Sequence, residues 1–330
     1  MSGSPIRPVL ITGCSGFIGA NLAAAVSARG GRVIGVERPG CSSFRTRELN
    51  AVELVRLDLR QQSEVHGFIQ RVKPLAIFNC AAYGAYAVQD DPQRIFDVNV
   101  LAVRHLLEAV RGLAGFQAFV QAGSSSEYGS NCSGPNEDAR AEPDSEYAVS
   151  KVAATQLVRM YAKKYGVPGW VLRLYSVYGP YEDFSRLIPN LLGHAQERRL
   201  PPLVSPNTSR DFVYVTDVVR AFEAVLTQAA QLEPGEVFNV GSGVRTTLAE
   251  LVRVVRELFE VRAEPAWGTM PDRAWDHPEW FADPSKAARV LGWRSLVPLR
   301  AGLSAFARWI DDHPELVTEG RADTVLESKP

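Results

Sequence analysis

Cysteine is scarce in this chain of 330 residues, and its four thiols, Cys14, Cys41, Cys80 and Cys132, stand far apart. None forms a CxxC pair or a zinc-like spacing with histidine. That argues against a disulfide framework and a metal site, and points to reduced thiols in the cytoplasm. An excess of charge of one sign is also missing: Lys+Arg number 36 against Asp+Glu 37, a formal net charge of −1. A general nucleic-acid binder needs a basic surplus to neutralise phosphates, and a polybasic membrane anchor needs a Lys/Arg cluster. Long apolar runs are absent too. No stretch approaches the roughly 18 uninterrupted apolar residues of a membrane span, and the opening Met-Ser-Gly-Ser-Pro lacks the charged-then-apolar layout of a secretion signal. Disorder is excluded by a 46% hydrophobic, nearly neutral composition. What remains is a soluble cytoplasmic enzyme or ligand-binding protein, with length for about two domains at roughly 150 residues each.

The first half alternates strand-like and helix-like stretches, which predicts a parallel sheet with helices on both faces. Strands are expected at Pro8–Thr12, Arg32–Glu37, Glu53–Asp58, Leu75–Ala82, Ala118–Ser124 and Val171–Tyr175. Helices are expected at Phe17–Arg29, Pro92–Arg111, where proline opens the first turn, and Glu146–Tyr165. The second half has shorter elements and more prolines, with helices expected at Thr246–Val261 and Leu299–Ile310. A domain boundary is placed near Gly179, with 1–179 binding a cofactor and 180–316 mainly binding substrate, though the chain can cross between lobes. Beyond about Pro314 a polar tail, 317–330, is expected to fray.

Val9 to Gly19 reads strand, glycine turn, helix, with glycines spaced GxxGxxG. Gly13 lets the chain turn sharply off the strand. Gly16 has no Cβ, so backbone can approach a pyrophosphate, and Gly19 lets helix and sheet pack closely. Ser15, Phe17 and Ile18 complete the turn, whose helix N-terminus offers free N–H groups to phosphates. A dinucleotide is the expected ligand. Glu37, ending the second strand, suits ribose hydroxyls and favours NAD. Arg38, with Arg45 and Arg47 close behind, suits the 2′-phosphate of NADP. NAD(H) is slightly favoured and NADP(H) stays open. Asp58, with Leu59 beside it, is placed to meet the adenine edge or to cap the next helix.

Tyr147 and Lys151 form an i, i+4 pair on one helix face. Free tyrosine titrates near about 10 and is a poor base at neutral pH, but a nearby lysine ammonium favours a phenolate. Such a pair can exchange a proton with a sugar hydroxyl or ketone while hydride moves. Ser124, Ser125 and Ser126 end the strand before it, at the sheet edge where α/β proteins bind ligands.

These motifs together resemble the extended short-chain dehydrogenase/reductases, and within them the NAD-dependent epimerase/dehydratase group that remodels nucleotide sugars. The resemblance runs from about Pro8 to Leu303. It rests on TGCSGFIG at Thr12–Gly19, Asp58, the serine turn, Tyr147–Lys151, RLYSVYGP at Arg173–Pro180, RDFVYVTDV at Arg210–Val218, FNVGSG at Phe238–Gly243 and SKAARVLGW at Ser285–Trp293. It implies a Rossmann-type doubly wound parallel sheet with a smaller C-terminal α/β lobe for the sugar nucleotide. It also implies a homodimer joined through the Pro92–Arg111 and Glu146–Tyr165 helices. Tyr147 would be the acid/base, Lys151 would hold the nicotinamide ribose, and Ser124 would be the catalytic serine. Asn99 would steady the active-site helix, and Arg210 and Arg273 would grip the substrate diphosphate. Ala81 and Ala82 would line the cofactor, and Tyr83, Ser125, Ser126 and Ser176 the substrate.

The departures matter as well. Asn79 stands where many members carry histidine, and Ser176 where many carry asparagine. Sugar 4,6-dehydratases have an acidic residue directly after the catalytic serine or threonine, or one place later behind a serine. Here Ser125 and Ser126 follow, and Glu127 comes one place too late, which argues against dehydration. The expected reaction is hydride transfer at C4 of a nucleoside-diphosphate hexose, by a 4-ketoreductase or a 4-epimerase. The alternatives are a ketoreductase acting on a non-nucleotide substrate and a catalytically silent NAD(P)-binding regulator.

Overall fold

Short apolar runs become parallel strands here because helices cover both of their faces. The computed structural model describes residues 7–41, 43–86, 88–270 and 277–327, with side chains described as far as residue 320. Its strands are β1 (Val9–Thr12), β2 (Val33–Glu37), β3 (Glu53–Arg56), β4 (Ala76–Asn79), β5 (Ala118–Ser124), β6 (Gly169–Leu174), β7 (Ser176–Tyr178), β8 (Ser209–Arg210), β9 (Phe212–Tyr214), β10 (Val237–Val240) and β11 (Thr246–Thr247). Seven of them form one sheet in the order β3-β2-β1-β4-β5-β6-β10, with every pair parallel. The order reverses at β1, so the crevice at the carboxyl ends of β1 and β4 is the place for a ligand.

The helices are α1 (Phe17–Ala28), α2 (Gln62–Val72), α3 (Pro92–Phe96), α4 (Ala102–Val110), α5 (Glu146–Tyr165), α6 (Leu187–Gln196), α7 (Val215–Gln228), α8 (Leu248–Phe259), α9 (Ser285–Val290), α10 (Leu299–Asp312) and α11 (Pro314–Glu327). Strand alternation divides the core in two. Leu10, Ile34, Ile77, Phe119 and Val171 face one way and pack with Val65, Leu106 and Val158 of α2, α4 and α5. Ile11, Phe78, Val120 and Leu172 face the other way and pack with Leu22 of α1 and Phe222 of α7. A third core joins α6, α8 and α10 through Leu191, Leu251 and Phe306 and forms the smaller lobe.

Several boundaries differ from expectation. The fourth strand ends at Asn79 rather than Ala82, because Cys80 and Ala81 turn away against Gly13. The Pro92–Arg111 helix is interrupted by a π turn at Asp97–Leu101. After Gly179 the chain crosses back, and α7 and β10 return to the large sheet. The expected fraying from about Pro314 is not seen over residues 314–327. They form helix α11, and Leu316 and Val317 are buried with Phe44 and Phe184. A polar average hides this narrow apolar face, whose partner Phe44 is remote in sequence.

Candidate active site

The glycine turn is built for close approach. Gly13 has φ +65°, and a Cβ there would lie 2.7 Å from the Ala81 nitrogen. A Cβ on Gly19 would lie 2.2 Å from the Gly13 carbonyl oxygen. Gly16 caps α1 with no side-chain hydrogen bond, so the first amides of the helix are free to face an anion. These bare backbone surfaces fit a dinucleotide pyrophosphate. Ser43 Oγ donates to Ser15 O at 3.0 Å, tying the turn to the loop after β2. Phe17 and Ile18 are partly buried.

Glu37 is buried at the end of β2, and Arg38 beside it is exposed. The other two arginines read as phosphate ligands are engaged elsewhere. Arg45 Nε donates to Tyr181 O at 2.7 Å, and Arg47 pairs with Glu319 of α11. Asp58 is gripped by Arg60, with Nη2 to Oδ2 at 2.7 Å, and the guanidinium holds its carboxyl below the usual range. It does not cap α2, whose N-cap is Gln61. Leu59 offers its carbonyl to His105 Nδ1 at 3.0 Å.

Where β4 ends, Ala81 lies against Gly13 and Ala82 is exposed. Asn99 sits in the π turn, buried. Its Nδ2 donates to Tyr83 O at 2.7 Å and Ser150 Oγ at 2.9 Å, and its Oδ1 accepts from Tyr83 N at 2.9 Å. Ser150 Oγ in turn donates to Tyr147 O at 2.7 Å. Asn99 thus ties the loop after β4 to the first turn of α5. The extra residue of the π turn aims its amide there. In that loop the Tyr83 ring lies under the Arg94 guanidinium, 4.6 Å from its centre. A Cβ on Gly84 would lie 3.4 Å from Tyr147 Cδ2.

Tyr147 is partly exposed, and Lys151, one turn on, is buried. The Lys151 ammonium stands 5.6 Å from the Tyr147 ring centre and donates to Ala122 O at 2.9 Å. Ser145 caps α5 by accepting from Ala148 N. Burial pushes the nearby Cys80 thiol up to about 12, against the pull of Lys151.

Ser124 closes β5. Its Oγ accepts from Ser126 N at 3.2 Å and from Ser126 Oγ at 2.8 Å. Glu127 accepts from Ser124 N at 3.1 Å, completing a capping box. The other Glu127 oxygen accepts from Thr155 Oγ1 at 2.8 Å and Arg173 Nε at 2.9 Å. Arg173 continues to Tyr128 OH at 2.8 Å, and Tyr128 OH donates to Asn239 Oδ1 at 2.7 Å. Glu127 is therefore a buried brace between β5, α5, β6 and β10. It is paired with a cation, not poised as an acid for water elimination.

The smaller lobe adds a wall that sequence reasoning missed. Trp280 Nε1 donates to Ser125 Oγ at 2.9 Å, so Ser125 is buried and already partnered. His277 Nε2 meets Asp144 Oδ2 at 2.7 Å, three residues before Tyr147. The Arg210 guanidinium lies 5.7 Å from the Trp280 ring centre and donates to Ser209 O and His277 O at 2.8 and 3.0 Å. Ser176 is partly exposed, and its amide donates to Asp211 O at 3.0 Å. Arg273 lies outside the described residues. Glu127 had a visible signal, the Ser-x-x-Glu spacing. Trp280 had none, since its partner is remote in sequence. Among the described residues no cluster of three His, Cys, Asp or Glu could hold a metal.

Comparison with known proteins identifies the family of the chain. Residues 9–241 match the NAD dependent epimerase/dehydratase family. The chain is 32% identical over 314 residues to the UDP-glucose 4-epimerase of Mycolicibacterium smegmatis, covering 89% of this chain and 96% of that protein. It is 30% identical over 332 residues to a dTDP-4-dehydro-6-deoxy-D-allose reductase of Streptomyces sp, covering 93% and 97%. Among solved structures, MoeE5 in complex with UDP-glucose and NAD superposes with a TM-score of 0.81 at 29% identity, over 93% of this chain and 100% of that one. With its parallel sheet, glycine turn and Tyr147–Lys151 helix, the chain belongs to the NAD-dependent epimerase/dehydratase family of extended short-chain dehydrogenase/reductases.

Proposed function

We propose that the protein transfers hydride at C4 of a nucleoside-diphosphate hexose, acting as a 4-epimerase that uses NAD(H). The observation that supports this is that Lys151 stands 5.6 Å from the Tyr147 ring centre and is anchored on Ala122 O, two residues before Ser124 at the carboxyl end of β5. A bound NAD would supply a hydride acceptor for C4 and a hydride donor for the opposite face of the resulting ketone. The residues do the rest. Tyr147, in its ionised form, takes the proton of the C4 hydroxyl as the ketone forms and, now a phenol, gives it back afterwards. The Lys151 ammonium holds the nicotinamide ribose and stabilises charge building on the tyrosine oxygen. Ser124 Oγ accepts from the amide and hydroxyl of Ser126, so its own O–H is left to donate to the C4 oxygen. Arg210, joined by Arg273, takes the diphosphate, for which planar guanidinium forks are suited.

Glu37 supports NAD: its buried carboxylate suits ribose hydroxyls, and Arg45 and Arg47 are committed to Tyr181 and Glu319. A second reading, a 4-ketoreductase, draws support from Arg38, exposed at the end of β2 and free to meet a 2′-phosphate. Incubating the protein with UDP-hexoses separates them. Interconversion of C4 epimers without net cofactor consumption supports the epimerase. Stoichiometric NADPH loss with a 4-keto sugar supports the reductase.

A homodimer and a cytoplasmic setting complete the proposal. Leu101 of the π turn and Val149 and Met160 of α5 are exposed apolar side chains on the elements expected to pair. No helix among the described residues is long and apolar enough to cross a membrane.

A further inference from the structure

Three buried polar side chains lie side by side where an apolar sheet interior is the norm. Thr12, Asn79 and Gln121 occupy register-matched positions on β1, β4 and β5, each 1% exposed or less. Thr12 Oγ1 donates to Asn79 Oδ1. Asn79 Nδ2 donates to Gln121 Oε1 at 2.7 Å, and Gln121 Nε2 donates to Ala122 O at 3.0 Å. Every bond points the same way, toward Ala122. Aligned amides in a low dielectric polarise one another, and buried amides are costly unless satisfied.

The end point of this chain has a use. Strand carbonyls alternate sides, and Phe119 bonds through its amide on the β6 side, to Pro168 O at 2.7 Å. Ala122, three residues on, turns its carbonyl toward β4. Yet β4 pairs with β5 only as far as Asn79 opposite Gln121. The donors that reach Ala122 O are therefore side chains, Gln121 Nε2 and Lys151 Nζ.

We infer that Gln121, held in place by Asn79 and Thr12, is a positioning residue for Lys151. It fixes the Ala122 carbonyl on which the ammonium is anchored, and so sets where that ammonium stands beside Tyr147 and the cofactor ribose. The inference rests on the cofactor role proposed for Lys151.

The test is NAD affinity, measured by calorimetry on the full chain at about pH 5 and about pH 8, values chosen to bracket the titration of a carboxyl raised by burial. Gln121→Glu keeps the acceptor for Asn79. While protonated, the introduced carboxyl still donates to Ala122 O; once ionised it repels that carbonyl. The expected result is affinity within about twofold of the unaltered chain at the lower pH and about tenfold weaker at the higher. Gln121→Met, which has no donor at either pH, is expected to be about tenfold weaker at both. A through-space charge effect has the opposite sign, since a new carboxylate attracts the nicotinamide cation. The inference is overturned if both variants, folded with near-unaltered thermal midpoints, bind NAD like the unaltered chain at both pH values. If the unaltered chain binds no NAD at all, the cofactor reading falls and the inference with it.

Discussion

At the residue scale the chemistry reduces to one phenol and the groups around it. In the proposed reaction Tyr147 carries the proton, so Tyr147→Phe should lower turnover by about 10²–10⁴-fold, the usual worth of a positioned acid/base, and leave NAD binding nearly unchanged. Steady-state rates and cofactor titration check both halves, and near-normal turnover would remove Tyr147 from its role. These residues were legible because each belongs to a short local pattern. The glycine spacing, the Tyr-to-Lys interval and the serine turn are all read within one element. Their partners were not. Trp280 reaches Ser125 across more than 150 positions of sequence, and Asn79 and Gln121 meet only because β4 and β5 pair in a particular register. For Asp58, whose position suggested a ligand or a cap, the structure removes only the cap, since Gln61 caps α2 and Arg60 holds the Asp58 carboxylate.

At the element scale, stability and site geometry share the same braces. Glu127 and Arg173 form a fully buried pair that also fixes the Ser124 amide. Glu127→Gln leaves the Arg173 charge without its counter-ion, and breaking such a pair costs about 3–5 kcal/mol. Urea unfolding should show that loss, together with a fall in kcat from a displaced Ser124. An unchanged midpoint would mean the pair contributes little. Strands and long helices were foreseen because parallel strands read as continuous apolar runs and helices as apolar stripes. The C-terminal helix was not. α11 buries Leu316 against the core containing Phe44. Leu316→Ala should destabilise the protein by about 2–5 kcal/mol, whereas a frayed tail would tolerate the change without loss.

At the scale of the whole molecule, the two lobes meet along a seam with its own pH response. Glu182 is buried beyond β7, near Arg45 from the loop after β2, Tyr86 from the loop after β4, and Arg186. Its Oε2 is a buried atom with no hydrogen-bond partner. Burial pushes its carboxyl up from 4.5 to about 8. The unfolded chain releases this proton near 4.5, while the folded chain holds it to about 8. The folded state is thus favoured most below the lower value, and the advantage is lost as pH rises through the upper one. Glu182→Gln should match the parent near pH 4 and exceed it by up to about 4 kcal/mol above pH 8. Thermal midpoints across pH check this, and parallel curves would contradict it.

The change in character of the chain after Gly179 was legible from proline content and element length. Which elements cross back to the large sheet, α7 and β10, was not legible, because it depends on strand pairing. The central claim is hydride transfer at C4 under the control of Tyr147, and an isotope test addresses it most directly. UDP-glucose deuterated at C4 is incubated with the protein and NAD in ordinary water, and the sugar products are followed by NMR. The expected product is a C4 epimer that keeps its deuterium, with none formed by Tyr147→Phe. A C4 epimer carrying hydrogen from solvent, or bound UDP-glucose and NAD with no change at C4, would contradict it.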